Sequence, residues 1–133
     1  MDDHARKLIE AAVSAMANAH APYSKFRVGA ALLDSDGAIH TGCNVENASY
    51  GLTNCAERTA VFKAVSTGNI SFEGIAVVCD QDDIPYPCGA CRQVLTEFCD
   101  AKTPVYVASA RNSEQYERFQ LGELLPKSFR KLP

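Results

Sequence analysis

Residues 26–45, FRVGAALLDSDGAIHTGCNV, contain two mostly apolar runs, Phe26–Leu33 and Ile39–Val45, on either side of Ser35-Asp36-Gly37. Ser, Asp and Gly favour tight turns, because short polar side chains bond to nearby backbone and glycine accepts unusual dihedral angles. Two strand-like runs flanking such a turn predict a β-hairpin. The two strands of a hairpin are antiparallel neighbours in whatever sheet the rest of the chain completes.

Helices and further strands are predicted on both sides of this hairpin. Apolar residues that recur at three- and four-residue steps indicate amphipathic helices, whereas short continuous apolar runs indicate buried strands. The predicted helices are Ala5–His20, Cys55–Val65, about Cys88–Cys99 and a short one before Pro126, and the predicted strands are Ile75–Cys79 and Pro104–Ala108.

The order helix, hairpin, helix, strand, helix, strand predicts an α/β layer architecture with a mixed sheet. Helical crossovers permit parallel neighbours, and the hairpin adds an antiparallel pair. The 133 residues have the length of one domain. Since no linker, repeat or low-complexity segment divides the chain, residues 1–133 are predicted to form a single domain.

Composition excludes several classes of protein. Hydrophobic residues at 47% and charged residues at 22% are typical of a globular chain with a core. The formal charge of -3 argues against a nucleic-acid polymer as partner, because such binders carry clustered basic surfaces. Apolar stretches such as Ile75–Val78 are far shorter than the roughly 20 residues that a membrane span needs. With no apolar signal core among the first ten residues, we expect a cytoplasmic protein without a membrane partner.

The chain contains six cysteines, which a secreted protein would use as a disulfide framework. The N-terminus supplies no secretory signal, so reduced thiols are expected, some of them on a metal. Cys43, Cys79 and Cys99 lie outside any motif and are expected to be buried structural thiols.

Two motifs, Cys55-Ala56-Glu57-Arg58 and Pro87-Cys88-Gly89-Ala90-Cys91, stand at predicted helix starts. A Cys-x-x-Cys pair at a helix N-terminus can place both sulfurs on one metal, and the helix dipole favours the thiolate form. Structural zinc normally has four protein ligands, whereas catalytic zinc keeps a position open for water. Three sulfurs without an obvious fourth ligand therefore indicate catalytic zinc, and Glu57 is placed to handle the proton of that water.

The same residues admit other interpretations. Cys88 and Cys91 alone are compatible with a thioredoxin-like redox pair, and a fourth cysteine would make a structural zinc module. Glu57 alone is typical of a solvated helix residue, and Arg58 alone is typical of a surface charge. Only the combination of three cysteines with an adjacent carboxylate favours the catalytic metal.

Five motifs spread along nearly the whole chain carry a family resemblance. They are PYSKF at 22–26 leading into VGAAL at 28–32, GCNVEN at 42–47, CAER at 55–58, PCGACRQV at 87–94, and LLP at 124–126 followed by Phe129. In these motifs the chain resembles the small, homotetrameric, zinc-dependent cytidine deaminases of the cytidine/deoxycytidylate deaminase superfamily. The resemblance implies a three-layer α-β-α fold with a mixed central sheet of about five strands, and active sites shared between subunits of a homotetramer.

The resemblance also implies a reaction, in which cytidine and 2'-deoxycytidine are hydrolysed to uridine and 2'-deoxyuridine plus ammonia, as in pyrimidine salvage. One Zn²⁺ per subunit would be held by Cys55, Cys88 and Cys91. Glu57 would shuttle protons from water to N3 of the cytosine ring and to the departing amine. Arg58 would donate to a ligand sulfur, because three thiolates on Zn²⁺ leave a net negative charge that weakens the pull of the metal on water.

Substrate contacts follow from the same resemblance. Asn44 and Glu46 would fix the ribose 3'-hydroxyl, which both donates and accepts hydrogen bonds. Phe26 would pack on the pyrimidine face, and Phe129 would approach the base from a neighbouring subunit. The main chain of Ala56 and the side chain of Tyr50 complete the implied set.

Neighbouring families differ in recognisable ways. Deoxycytidylate and polynucleotide deaminases usually have His where Cys55 stands and need positive charge for phosphate, so this acidic chain favours a free nucleoside. Blasticidin-S-type aminohydrolases share the three cysteines and stay open as an alternative, as does the thiol-disulfide oxidoreductase. The Asn44-x-Glu46 pair resembles the cytidine branch.

Overall fold

The computed structural model describes residues 2–130, in which five strands form one mixed sheet with helices on both faces. Across the sheet the strand order is β2-β1-β3-β4-β5; β3 and β4 are parallel, and the other neighbouring pairs are antiparallel. The predicted α/β class and mixed sheet are therefore confirmed. The elements are α1 (Asp3–Met16), β1 (Val28–Asp34), β2 (Ile39–Cys43), α2 (Ala56–Ser66), β3 (Phe72–Cys79), α3 (Gly89–Phe98), β4 (Pro104–Ser109), β5 (Glu117–Gln120) and α4 (Leu121–Leu124).

The central strands are apolar on both faces. Successive side chains of a strand point to opposite sides of the sheet. On β3, Ile75 and Val77 join the core beneath α2 and α3, whereas Ala76 and Val78 pack against α1. Strands covered on both faces are continuously apolar, which is why β3 and β4 lack alternation in their sequence. The three-layer α-β-α arrangement implied by the resemblance is confirmed.

The ends of several elements differ from the prediction. Helix α1 ends at Met16 instead of His20, and β3 begins at Phe72, before the predicted Ile75. Strand β2 ends at Cys43, and Val45 instead pairs with Asn54 in an isolated bridge. Strand β5 was not found in the sequence, because an edge strand paired only with β4 keeps mostly polar residues and has little apolar signal.

Two observations concern the expected lack of membrane spans and the expected reduced thiols. Within residues 2–130, no helix has the length and apolar character needed to cross a membrane. All six cysteines are free thiols. Cys79 and Cys99 are buried as predicted, but Cys43 is only half-buried on β2, because that strand lies at the edge of the sheet.

Gly42 allows helix α2 to lie directly against β2. A Cβ atom at this position would stand 2.5 Å from the backbone N of Ala60 and 2.7 Å from the carbonyl O of Ala56. Backbone atoms of a packed helix cannot rotate away as the end of a flexible side chain can. Since Cys55 is the N-cap residue of α2, the absence of a side chain at Gly42 helps to set the position of that cysteine.

We predict that Gly42→Ala lowers the free energy of unfolding by about 1–3 kcal/mol or more, because the added methyl group overlaps the backbone of α2. The measurement is equilibrium denaturation in urea. Gly51→Ala is the matched control, since a Cβ atom there meets nothing within 4 Å, and its change should stay within about 1 kcal/mol. A Gly42→Ala protein as stable as its parent would contradict the close approach of α2.

Candidate active site

Helices α2 and α3 begin near each other, and their first turns carry three cysteines. Cys55 is the N-cap residue of α2, Cys88 is the N-cap residue of α3, and Cys91 lies in the first turn of α3. Both N-cap residues have extended backbone, so the helix proper starts just after each sulfur. Unpaired N–H groups and the helix dipole at these ends favour negatively charged sulfur.

The three sulfurs are spaced as ligands of one ion. The Sγ atoms of Cys55 and Cys88 lie 3.8 Å apart, and those of Cys88 and Cys91 lie 3.5 Å apart. A tetrahedral zinc with Zn–S bonds of about 2.3 Å separates its sulfurs by roughly 3.8 Å. Among residues 2–130, this is the one group of three or more His, Cys, Asp or Glu side chains that could hold a metal. The donor set therefore fits zinc and leaves one coordination position open.

One of these thiols is already acidic in the protein without metal. Hydrogen bonds from the Cys91 thiol and from Arg58 lower the pKa of Cys55 to about 5. The Nη2 of Arg58 stands 3.3 Å from the Cys55 sulfur. The same contact with Cys55 raises the pKa of Cys91 well above its usual range. Cys55 therefore ionises more readily than Cys91, and binding a metal requires that the Cys91 thiol also lose its proton.

Glu57 lies in the first turn of α2 with only 5% of its surface exposed. Burial raises the pKa of this carboxyl to about 7, and the negative charge on Cys55 acts in the same direction. A carboxyl with a pKa near neutral can both accept and donate a proton at physiological pH. Glu57 is therefore suited to proton transfer beside the three sulfurs.

A cavity of about 220 Å³ opens next to Glu57 and the sulfurs. Three of the residues implied as substrate contacts line it, namely Phe26, Asn44 and Ala56. The cavity is mostly apolar, with a few polar groups, which is typical of a small-molecule site. Its lining residues are Phe26, Val28, Asn44, Thr53, Asn54, Cys55, Ala56, Glu57, Val77, Pro85, Tyr86 and Cys88.

Glu46 and Tyr50 line a neighbouring cavity of about 310 Å³. The carboxylate of Glu46 accepts hydrogen bonds from the backbone N–H of Tyr23 at 3.0 Å and of Ser24 at 3.1 Å, and from the Ser24 hydroxyl. Thr53 lines both cavities, so the two are adjacent. Within one chain, Asn44 and Glu46 therefore face different cavities.

The Asn44 side chain also has a function within the chain. Its Oδ1 accepts from the Val28 N–H at 2.9 Å, and its Nδ2 donates to the Phe26 carbonyl at 2.8 Å. These bonds fix Phe26 at the entry to β1. The amide keeps one N–H and one oxygen lone pair for another partner.

Phe129 is 68% exposed and is not among the residues that line either cavity in the described part of the chain. Its carbonyl accepts a hydrogen bond from Nε2 of Gln93 at 2.7 Å. The main chain of Phe129 is thus held against α3, and its ring does not line the candidate active site of the same chain.

Tyr86, which was not predicted from the sequence, lines the cavity beside Glu57 and donates from its hydroxyl to the Glu117 carboxylate at 3.0 and 3.1 Å. Its position two residues before Cys88 was an available signal, since residues so close to a candidate ligand lie near the metal. Its partner Glu117 lies on β5, the strand that was not predicted.

Comparison with known proteins agrees with this geometry. Residues 2–108 match the family model described as the cytidine and deoxycytidylate deaminase zinc-binding region. Cytidine deaminases of Sporosarcina psychrophila and Halalkalibacterium halodurans are each 52% identical, over 94% and 92% of this chain and 90% and 91% of theirs. A crystal structure of cytidine deaminase from Burkholderia pseudomallei superposes with a TM-score of 0.88 at 47% identity, covering 97% of this chain and all of that one. The chain therefore belongs to the cytidine and deoxycytidylate deaminase family.

Proposed function

We propose that this chain catalyses the zinc-dependent hydrolytic deamination of cytidine and 2'-deoxycytidine, which yields uridine and 2'-deoxyuridine plus ammonia and serves pyrimidine salvage. The observation that carries the proposal is the buried carboxyl of Glu57 beside three clustered sulfurs. An open three-sulfur site serves catalysis, whereas a structural module would close its metal with a fourth protein ligand. Relatives at 52% identity that carry the name cytidine deaminase support the substrate class.

Cys55, Cys88 and Cys91 hold one Zn²⁺ in this proposal. When bound, the zinc would supply a water of lowered pKa that is nucleophilic at neutral pH. Three thiolates and Zn²⁺ sum to one negative charge, which weakens that effect. Arg58, which donates to the Cys55 sulfur, withdraws part of the negative charge.

Glu57 moves the protons. Its carboxylate accepts a proton from the attacking water and delivers it to N3 of the cytosine ring, while the water oxygen bonds to C4. It then carries the second water proton to the 4-amino group, which leaves as ammonia and yields the uracil carbonyl. A pKa of about 7 suits a group that must take up and release protons in turn.

The two adjacent cavities divide the nucleoside between them. The base enters the Glu57 cavity, where the half-buried Phe26 ring packs on its flat face and the main chain of Ala56 bonds its polar edge. The sugar extends past Thr53 toward Glu46 and Tyr50, so the ribose 3'-hydroxyl lies between the amide of Asn44 and the carboxylate of Glu46. The negative charge of Glu46 disfavours a phosphate there, which supports a free nucleoside.

We also propose that the protein is a homotetramer whose active sites are shared between subunits. Apolar side chains at and near the cavity that contains Glu46 are exposed, including Tyr50, which is 77% exposed, and Leu52, which is 71% exposed. Phe129 is exposed as well and lies outside its own cavities. Association of subunits buries such side chains and brings an aromatic ring to a partner's base. We further propose that residues 1–133 form a single domain that works in the cytoplasm, and the six free thiols are consistent with a reducing compartment.

The first prediction is that purified protein converts the ultraviolet band of cytidine to that of uridine only when it is loaded with zinc. A chelator-stripped sample and Glu57→Ala should lose turnover by about 10²–10⁴-fold or more, since the carboxyl is the proton carrier. Glu57→Ala should keep its zinc and its fold, and Glu97→Gln, at an exposed carboxyl of α3, should keep its activity.

A flat trace with zinc-loaded protein would discard the nucleoside substrate in favour of a blasticidin-S-type aminohydrolase. Disulfide exchange by Cys88 and Cys91 without metal would instead identify the oxidoreductase. Substantial turnover by Glu57→Ala would remove Glu57 from the proton-transfer role.

The second prediction concerns Arg58→Gln. Without the guanidinium, the pKa of Cys55 in the metal-free protein should rise above about 5, because one of its hydrogen bonds and a positive charge are lost. Protons then compete better with the metal, so zinc affinity at neutral pH should fall by about 10–100-fold and the pH dependence of turnover should shift. Thiolate absorbance against pH and zinc titration measure both effects, with Arg118→Gln as the control. Unchanged zinc affinity and an unchanged pH profile would show that Arg58 does not tune the site.

The third prediction is that the active protein sediments as a tetramer and that Phe129→Ala raises KM for cytidine while zinc content stays the same. The reason is that the ring acts on the substrate of another subunit and not on its own metal. A monomer with full activity is the outcome that contradicts shared sites.

A further inference from the structure

Arg92, the residue after Cys91, connects two parts of the chain that lie far apart in sequence. Its Nε donates to the carbonyl of Pro87 at 2.7 Å, and its Nη1 donates to the carbonyl of Leu124 at 2.8 Å. Residues 85–88 are called the metal loop here, and residues 124–130 are called the C-terminal segment. The half-buried guanidinium bridges the metal loop and the C-terminal segment.

The side chains of the metal loop are anchored, since Pro85 and Pro87 are buried and the Tyr86 hydroxyl donates to Glu117, but its main chain has few hydrogen bonds. Pro85 and Pro87 have no N–H to donate, so the loop cannot be held by a ladder of backbone bonds. Among residues 2–130, the main-chain hydrogen bond that the loop makes before α3 runs from the Tyr86 N–H to the Ile84 carbonyl at 3.0 Å. The carbonyl that Arg92 binds belongs to the peptide group joining Pro87 to Cys88. Fixing that planar group fixes the backbone from which the Cys88 sulfur projects.

Cys88 is also the least enclosed of the three sulfur residues. Cys91 is buried and Cys55 is half-buried, whereas Cys88 is exposed. Packing around the side chain therefore restrains Cys91 and Cys55, whereas the position of the exposed Cys88 sulfur depends on the backbone of the metal loop.

The other end of the bridge is rigid. Leu124 is the last residue of α4, whose first residue, Leu121, is buried. The backbone N–H of Leu121 donates to Thr103 and that of Gly122 donates to Ala101, each at 2.9 Å. Gln120 and Glu123 form a reciprocal capping box at the start of α4. The carbonyl of Leu124 is thus a fixed point against which Arg92 can hold the metal loop.

We propose that Arg92 is a positioning residue, which holds the Pro87–Cys88 peptide against the carbonyl of Leu124 and thereby keeps the Cys88 sulfur in place beside Cys55 and Cys91. The proposal rests on the zinc site of the proposed function and goes beyond it. Arginine suits this task because its planar fork donates in two fixed directions, which the single ammonium of lysine cannot do. The motif Cys91-Arg92 then has a physical basis, with one residue for the metal and the next for the loop that brings the other ligand.

Gln93 provides a matched control. Its Nε2 donates to the carbonyl of Phe129, so it also binds the C-terminal segment, but it has no bond to the metal loop. An effect that acts through the C-terminal segment or through subunit assembly appears in Gln93→Ala as well. An effect that acts through the metal loop appears only at Arg92.

The experiment measures zinc release from the full-length holoenzyme to a colorimetric chelator. Arg92→Ala should release zinc about 10–100-fold faster than the parent, because groups that orient metal ligands typically change affinity by that amount. Arg92→Lys should fall between the two, and Gln93→Ala should match the parent. In the metal-free protein, hydrogen exchange at the amides of the metal loop should be faster in Arg92→Ala than in the parent. In a separate measurement, the visible spectrum of Co²⁺-loaded Arg92→Ala should differ from that of the Co²⁺-loaded parent.

The proposal is overturned if Arg92→Ala lowers the free energy of unfolding but leaves zinc release, the Co²⁺ spectrum and loop exchange as in the parent. If Arg92→Ala does not fold, Arg92→Lys carries the test, and parental zinc release from that variant overturns the proposal. Equal acceleration in Gln93→Ala also overturns it, because the effect then comes from the C-terminal segment. None of these measurements uses cytidine, so a failure of the proposed substrate leaves them intact.

Discussion

Helices α2 and α3 direct their N-terminal ends at the same place, and the partial positive charge there favours the anionic sulfur on which the site depends. The sheet makes this convergence possible. Both helices pack on one face, above the apolar residues of β1, β3 and β4, and Gly42 lets α2 approach without a side chain in between. A shift of either helix along the sheet would separate the sulfurs of Cys55 and Cys88, which now lie 3.8 Å apart.

Positive and negative groups lie close together where the N-terminal ends of α2 and α3 meet. The neighbouring Cys91 and Arg58 lower the pKa of Cys55, Arg58 by donating to its sulfur, and the negative charge of Cys55 helps to raise the pKa of the buried Glu57. The pKa of each of these groups therefore depends on the charge of its neighbours. Arg58 favours the anion that a metal needs, while burial keeps the carboxyl able to carry a proton. Zinc would add two positive charges to a donor set that already holds one thiolate.

Under the proposed function, substrate recognition is divided between two cavities that meet at Thr53. Asn44 lines the first cavity, and its amide makes two hydrogen bonds with the backbone of Phe26 and Val28, so it also positions Phe26. Glu46 belongs to the second cavity and is held by Tyr23 and Ser24. The exposed ring of Phe129 lies outside both, which is consistent with a role in a partner's site under the proposed assembly.

The sequence by itself determined the α/β class, the mixed sheet, the helix starts at Cys55 and Cys88, and the grouping of three sulfurs with one carboxylate. The elements and the Cys88–Cys91 pair depend on residues close together in the chain, where apolar periodicity and helix-start chemistry are visible. Cys55 lies 33 residues before Cys88 and was grouped with that pair because both motifs stand at helix starts. Only the tertiary structure decided the position of β5, the division of Asn44 and Glu46 between two cavities, the lining by Tyr86, and the bridge from Arg92 to Pro87 and Leu124. These features depend on contacts between residues distant in sequence. A polar edge strand or an arginine bonded to two carbonyls has no periodic pattern by which sequence could reveal it.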